Sequence, residues 1–179
     1  MPADYKPFDK QEWLRLEKKA NDLRHLTVKT VAWGGSGHIG GGMSALDALT
    51  ILYHRFMKLD PNDPDWPDRD RFVLSKGHAA IAYAPVLVDF GYMPEEELHI
   101  FNLTGAKIGM HLDCNKVRGV DVSTGSLGHG LSLAVGMALA GQQNKKDYMV
   151  YCMTGDGELN EGSNWEGAMS AAQFKLSNI

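Results

Sequence analysis

The part of the chain that says most about the fold is residues 149–166, which read MVYCMTGDGELNEGSNWE. Residues 149–154 form a short apolar run, and its length and composition predict a buried strand. Two glycines then enclose Asp156, and a helical pattern follows from Trp165 to Phe174. In open parallel α/β sheets, ligands bind beyond the carboxyl ends of the strands. The stretch therefore predicts that Asp156 lies at the binding edge of such a sheet.

The chemistry of this turn is typical of a metal-bridged diphosphate site. A carboxylate suits Mg²⁺ or Ca²⁺, and Mg²⁺ usually combines one or two carboxylates with substrate phosphates. Gly155 and Gly157 carry no Cβ, so their backbone can approach a phosphate closely. The following helix offers free N–H groups to an anion. The simpler alternative is an aspartate that only favours a strand-to-helix turn, and these three residues leave both interpretations open.

The composition indicates a single domain over residues 1–179. Hydrophobic residues make up 44% of the chain, which is enough for a core, and the net charge of −4 gives no basic footprint for nucleic acid. Cys114 and Cys152 could form one bridge, but Cys152 lies in the predicted strand, which favours a small inert thiol. We find no signal-peptide pattern or membrane-length apolar run, so the cytoplasm is the default location.

Hydrophobic periodicity predicts helices that alternate with two strands. The first helix is predicted from Asp9 to Trp33, with Asp9 as its cap and Glu12 three residues further on. Its apolar stripe consists of Trp13, Leu16, Ala20 and Leu23. Other helices are predicted at 44–57, 79–90, from 94 onwards, 131–140 and 165–174, with a strand at 72–74. This alternation predicts an α/β layer architecture.

Several glycine-rich segments carry histidines. The glycines around His38 have no side chains that could bury its ring, so we expect His38 to face a cavity. His78 follows a glycine at the end of the predicted strand 72–74. The glycine-rich turns that carry histidines are 34–42, 75–78 and 121–130, and a loop-like stretch holds His111 at 109–113. We expect these three turns and the turn of Asp156, four in all, to form the walls of one cleft.

Four motifs in order resemble those of transketolases, the thiamine diphosphate enzymes that move two-carbon ketol units between sugars. Residues 36–40, SGHIG, look like the family's SGHPG, and residues 68–78, DRDRFVLSKGH, nearly match its strand-and-loop signature. Residues 124–130, TGSLGHG, resemble its TGPLGQG, and the GDG at 155–157 opens its cofactor motif. The resemblance covers nearly the whole chain. It implies the α/β thiamine diphosphate-binding fold, a parallel sheet flanked by helices, incomplete at the C-terminal end.

The resemblance also implies the cofactors, thiamine diphosphate and Mg²⁺ (or Ca²⁺). By position in the motifs, Asp156 would ligate the metal and Gly157 would contact the diphosphate. His78 would lie against the diphosphate and the reacting centre. Gly125 and Leu127 would meet the aminopyrimidine ring through backbone groups.

For the sugars, the resemblance implies that His38 and His111 line the substrate channel and bind hydroxyl groups. With His78, these imidazoles are suited to exchange protons with sugar oxygens. Glu161 and Glu166 match family glutamates near the dimer interface that couple the two sites, and we group Glu161 with the catalytic residues. The remaining histidines are His129, which replaces the usual Gln and stays unassigned, and His25, His54 and His99, which we expect to be structural.

Three departures from the family pattern affect this interpretation. Met110 and Leu112 replace the usual Gly and Pro, which could reshape the channel beside His111. Ile39 and the glycines at 41 and 42 look more like stand-alone amino-terminal subunits than full-length enzymes. The family completes its metal site with an Asn that lies beyond residue 179, and Asn178 comes too early to be that ligand.

The chain also lacks the domain that carries the cofactor-activating glutamate, so the resemblance implies a C-terminal, pyrimidine-domain partner subunit. We expect sugar phosphate substrates and a dimer of heterodimers, with a truncated chain as well as a split enzyme. Two alternatives stay open. One is a related enzyme for a sulfonated or branched sugar phosphate, and the other is a binding homologue that has lost catalysis.

Overall fold

The computed structural model describes residues 7–179. Helix α1 spans Lys10–Gly34, within one residue of the prediction at either end. Asp9 caps it as expected, since its Oδ1 accepts a hydrogen bond of 2.8 Å from the N–H of Glu12. The helix ends at Gly35, which has φ +70° and donates its N–H to the carbonyl of Val31 at 2.8 Å. A left-handed glycine here closes the last turn without a Cβ clash.

The predicted stripe of α1 is partly correct. Leu16, Ala20 and Leu23 are buried and face the rest of the core. Trp13 is 55% exposed instead, with its ring edge-on to Phe8 at 6.4 Å between centroids. Helical spacing therefore identified the buried face of α1 from Leu16 onwards, but not in the first turn.

Helix α2 spans Ile39–Ile51 and continues into a π-helical turn at Leu52–Phe56. The predicted start of this helix at residue 44 was wrong, because the glycines at 40–42 already belong to its first turn. Gly42 explains why the chain tolerates glycine there: a Cβ at this position would lie 2.7 Å from Cγ2 of Ile81. Gly42 therefore allows close packing against the helix that carries Ile81, whereas a Cβ on Gly41 would lie 3.3 Å from the His78 ring and one on Gly40 would meet no atom within 4 Å.

Strand β1 spans Arg71–Leu74, and a 3₁₀ turn at Gly77–Ala79 leads into helix α3, Ala80–Phe90. Gly91 follows with φ +95°, so α3 ends at residue 90, where the predicted helix 79–90 also ends. The first two turns of α3 are entirely buried, and α1 and α2 pack against them. This arrangement forms the main hydrophobic core.

The second half of the chain contains helix α4 at Gly130–Gln143, strand β2 at Val150–Met153 and helix α5 at Gly162–Gln173. The helix expected from residue 94 is a short 3₁₀ segment, Glu95–Ile100. Another 3₁₀ turn, Gly157–Asn160, separates β2 from α5. The sequence had suggested that the turn of Asp156 leads directly into a helix. In the structure, the 3₁₀ turn lies between them.

The two strands form a parallel sheet with Arg71 opposite Val150, which confirms the α/β class. Helix α4 packs against both strands, and its buried alanines, Ala134 and Ala138, lie against Val73 and Val150 in a second apolar cluster. The small residues of α4 allow this close approach. Both strands therefore point their carboxyl ends towards the same edge of the molecule.

The first half of the motif DRDRFVLSKGH anchors the opposite end of the sheet. Arg69 forms two hydrogen bonds to Asp121, of 2.7 and 3.1 Å, and both side chains are largely buried. Asp70 accepts backbone N–H groups of Lys58 and Met149, each at 2.8 Å. Asp121 also accepts the N–H of Phe72 at 2.8 Å, which ties the Arg69–Asp121 pair to the start of β1. The motif therefore combines an anchor at one end of β1 with site residues at the other.

Both cysteines are free. Cys152 is half-buried in β2, where burial and then the charge of Glu158 raise its pKa to about 12. The thiol is therefore uncharged at neutral pH. Within residues 7–179, every helix is either too short or too polar to cross a bilayer.

Candidate active site

The carboxyl ends of β1 and β2 define the candidate site. The N–H of Ser75 donates to the carbonyl of Met153 at 2.9 Å, so the strands stay paired up to their last residues. The turn that carries His78 and the turn that carries Asp156 then leave the same edge. This is the edge at which parallel α/β sheets bind ligands.

Lys76 lies between these turns and helix α2. A Cβ built on Gly155 would lie 3.8 Å from the Cβ of Lys76, so the two turns run side by side. The ammonium group of Lys76 donates to the hydroxyl of Ser44 at 3.2 Å. It therefore places a positive charge between the His78 turn and α2. The sequence motifs alone gave no role to Lys76.

Three predicted imidazoles come together at this edge. The rings of His38 and His78 are 5.3 Å apart between centroids, at an angle of 81°. Partial burial lowers the pKa of His78 below its usual 6.5, and the charges of His38, His111 and Lys76 lower it further, against the opposite effect of Glu158. His78 is therefore mainly neutral at neutral pH, whereas its neighbours His38 and His111 are exposed.

The turn at 124–130 packs over the turn that carries His78. The hydroxyl of Thr124 donates to the carbonyl of Leu74 at 2.6 Å, and a Cβ on Gly77 would lie only 2.6 Å from the carbonyl oxygen of Thr124. Gly125 faces His111, whose Cδ2 would be 3.4 Å from a Cβ at that position. The turn therefore brings Gly125 and His111 to the edge where His78 lies.

Leu127 and Glu161 lie on the solvent-exposed side of the turns that meet at this edge. Leu127 is 38% exposed, and the Glu161 side chain is also exposed. Gly128 has φ +90°, and a Cβ there would lie 2.7 Å from the Cβ of Glu161. The hydroxyl of Ser163 donates to the carbonyl of Gly128 at 2.9 Å, which holds the two segments together.

Glu158 connects these turns from the buried side. The sequence analysis had not identified this residue. Its side chain is 2% exposed. Oε1 accepts hydrogen bonds from the hydroxyl of Ser75 and from the N–H of Gly128 at 2.8 Å, while Oε2 accepts the N–H of Gly155 at 2.8 Å. Asn164 donates to its backbone carbonyl at 2.6 Å. One buried carboxylate therefore fixes three of the four turns relative to one another.

Asp156 and Gly157 lie on the solvent-exposed side of the turn that follows β2. Both are exposed, and a Cβ built on Gly157 would meet no atom within 4 Å, so its backbone is open to a ligand. Asp156 begins the 3₁₀ turn that continues through Asn160. Among residues 7–179, no group of three His, Cys, Asp or Glu side chains is arranged to hold a metal ion.

Asn178 is held at the other end of β2. Its side-chain amide donates to the carbonyls of Ala138 and Tyr148 at 3.1 and 3.5 Å, and its own carbonyl accepts the N–H of Val150 at 2.8 Å. Val150 is the first residue of β2, whereas Asp156 follows the last. These contacts give Asn178 a packing role away from Asp156.

Three other residues that the sequence analysis discussed lie outside the site. Leu112 is 5% exposed and packs in the main core, so its side chain does not border the open space beside His111. His54 contacts Asp89 at 3.0 Å, and His99 lies against Trp33 at 4.0 Å between ring centroids. These contacts give both histidines structural roles.

Comparison with known proteins identifies the family of the chain. Residues 16–179 match the family model described as transketolase, thiamine diphosphate binding domain. The 6-deoxy-6-sulfo-D-fructose transketolase subunit of Clostridium sp. (strain MSTE9) is 43% identical over 169 residues, which cover 94% of this chain and 62% of that protein. An apulose-4-phosphate transketolase subunit of Actinobacillus succinogenes is 43% identical over 165 residues, covering 92% of this chain and 60% of the relative.

The solved structures give the same result for the fold. The crystal structure of transketolase from Campylobacter jejuni superposes with a TM-score of 0.86 at 35% identity, covering 92% of this chain and 27% of that one. The fold and the sequence match define a thiamine diphosphate-binding domain. The chain belongs to the transketolase family and corresponds to its amino-terminal section. It spans about 60% of the length of the curated subunits that it matches.

Proposed function

We propose that the chain is the diphosphate-binding part of a split transketolase. With a pyrimidine-domain partner subunit, it transfers two-carbon ketol units between ketose and aldose sugar phosphates. The observation that carries this proposal is the meeting of the His78 and Asp156 turns at one edge of a parallel sheet, with the His38 ring 5.3 Å from that of His78. The match to transketolase subunits over more than nine-tenths of the chain supports it.

The residues at this edge fit thiamine diphosphate and a divalent cation. Asp156 offers an exposed hard oxygen ligand suited to Mg²⁺ or Ca²⁺. The open backbone at Gly157 and the imidazole of His78 would contact the diphosphate. The exposed backbone of Gly125 and the partly exposed Leu127 would face the aminopyrimidine ring. When bound, thiamine diphosphate supplies the electron sink for breaking and forming a carbon–carbon bond.

The chain's own contribution is to bind and orient the sugar and to move protons. The lowered pKa of His78 keeps its ring mainly neutral near neutral pH, so one ring nitrogen is unprotonated and available to a proton. The exposed rings of His38 and His111 would donate hydrogen bonds to sugar hydroxyls. Because His78 and His38 are in ring contact, a proton gained by one changes the affinity of the other for protons.

The partner subunit would cover the exposed apolar surface beside the site. Trp165 is 59% exposed and Met169 is 72% exposed, both on α5, and Leu159 on the preceding 3₁₀ turn is 41% exposed. Neighbouring exposed apolar side chains are typical of protein interfaces. Glu161 lies between these residues in the chain, which is consistent with a role in coupling two sites of a dimer of heterodimers.

A specific observation favours one alternative for the substrate. The two relatives with 43% identity are named for a sulfonated ketose and for apulose 4-phosphate. A donor outside the common ketose phosphates is therefore the second candidate function. The reaction class and the roles of the site residues would be the same.

The test is a ketol-transfer assay on the complete protein reconstituted with its pyrimidine-domain partner. It uses a common ketose phosphate, a sulfonated ketose and a branched ketose phosphate as separate donors. We expect turnover with one donor class and none from the 179-residue chain alone. Turnover by the isolated chain would overturn the split-site proposal. A complex that binds the cofactor but transfers no ketol unit from any donor would support a catalytically inactive homologue.

A further inference from the structure

Asn102 connects the segment that carries His38 to the segment that carries His111. Its side-chain amide donates to the hydroxyl oxygen of Ser36 at 2.9 Å, and its Oδ1 accepts the N–H of Met110 at 3.1 Å. Ser36 lies two residues before His38, and Met110 immediately precedes His111. The amide therefore links the two segments directly, with one hydrogen bond to each.

The orientation of this amide is determined by its partners. A backbone N–H can only donate, so Met110 must face the oxygen of the Asn102 amide. The NH₂ group is then left for the hydroxyl of Ser36, which can accept. Replacing either half of the amide would break one of the two links.

The backbone at Asn102 is also specialised for this position. It has φ +58°, a left-handed conformation that asparagine tolerates better than most residues with a Cβ. Its N–H donates to the carbonyl of Ile108 at 2.9 Å, which closes the intervening loop. Next to it, a Cβ on Gly34 would lie 3.3 Å from the Cβ of Phe101, so the end of α1 and this loop are already in contact.

We infer that Asn102 is a positioning residue, whose amide sets the separation of the His38 and His111 segments and thereby shapes the sugar channel. The role in sugar binding rests on the proposed function, whereas the role in positioning the imidazoles does not. Asn102 is exposed, so its hydrogen bonds compete with water. Loss of one neutral hydrogen bond corresponds to roughly a fivefold change in an equilibrium.

The first experiment uses Asn102→Gly, because glycine keeps the left-handed backbone and removes both side-chain bonds. Lys145→Gly is the matched control, since Lys145 has φ +55° in the turn after α4. Histidine ring titrations are followed by NMR in the full 179-residue chain. We expect Asn102→Gly to raise the pKa of His78, as His38 and His111 move away from it, and Lys145→Gly to leave it unchanged. Equal titration curves for the two variants would overturn the inference.

The second experiment measures kinetics in the reconstituted complex. Asn102→Gly removes both bonds and should raise the KM of the sugar substrates by roughly five- to 25-fold, with kcat within about twofold. Ser36→Ala removes one of the two links and should give a smaller KM increase. A KM equal to that of Lys145→Gly contradicts the role in the channel. If no variant transfers ketol units, including the unaltered complex, the proposed function fails, while the titrations still decide the positioning role.

Discussion

Replacing Glu158 should destabilise the chain more than replacing any exposed carboxylate near the site. Its buried carboxylate accepts two backbone N–H groups and one hydroxyl group from three separate turns. Hydrogen bonds to charged groups contribute roughly 1.5–3 kcal/mol each, and buried donors left without a partner cost about 1–3 kcal/mol each. The Ser75 hydroxyl can turn to another acceptor, but the two backbone N–H groups cannot, so at about 1–3 kcal/mol each we expect Glu158→Ala to lose about 2–6 kcal/mol. This is a large part of the ~5–15 kcal/mol typical of a domain.

Glu158→Gln keeps the size of the side chain but removes its charge and one of its two acceptor oxygens. Whichever way the amide is turned, its NH₂ group faces the N–H of Gly155 or the N–H of Gly128, so at least one donor loses its acceptor. The expected loss is about 1.5–3 kcal/mol. The assay is urea unfolding monitored by far-UV circular dichroism, with Glu161→Gln as the exposed control in the same region. A Glu158→Ala variant as stable as Glu161→Gln would refute the reasoning.

Two further perturbations can be measured on the same chain. His38→Asn should raise the pKa of His78 towards 6.5, measured by NMR titration of its ring, because burial and then His38 lower that pKa. The sign for stability follows: with a folded pKa below the unfolded one, the contribution of His78 is present above pH 6.5 and is lost as pH falls through the folded pKa, a loss that His38→Asn should reduce. An unchanged or lower His78 midpoint would contradict this. Gly77→Ala should destabilise, because its Cβ would lie 2.6 Å from a backbone oxygen, whereas Gly136→Ala, with open space on α4, should stabilise by up to about 1 kcal/mol in urea unfolding; the opposite order would show that the turns are not tightly packed.

Local patterns predicted most of the fold. The cap at Asp9, the left-handed stop at Gly91 and the two strands all depend on residues that are close in sequence, so their signals can be read from short windows. The glycines at 40–42 were misinterpreted for a physical reason. Glycine run length indicates a loop, but here the absence of a side chain at Gly42 serves the contact with Ile81 in α3.

The predicted site residues were those that belong to sequence motifs, and the residues that hold them in place were missed. Glu158 bonds to Ser75, which is 83 positions away, and Asn102 bonds to Ser36, which is 66 positions away. Such pairings depend on which turns meet in space, and no periodicity or spacing in one sequence encodes that. Asn102 carried a weak local signal at most, because its left-handed conformation is not visible in the sequence.

The proposed function depends above all on Asp156 binding a cation that holds a diphosphate at this edge of the sheet. Isothermal titration calorimetry of thiamine diphosphate into the reconstituted complex, with and without Mg²⁺, measures this binding, with Asp156→Asn as the variant. We expect Mg²⁺-dependent binding that weakens at least about tenfold in Asp156→Asn. Equal, Mg²⁺-dependent affinity in the variant and the unaltered complex would contradict the assignment of Asp156 as the ligand.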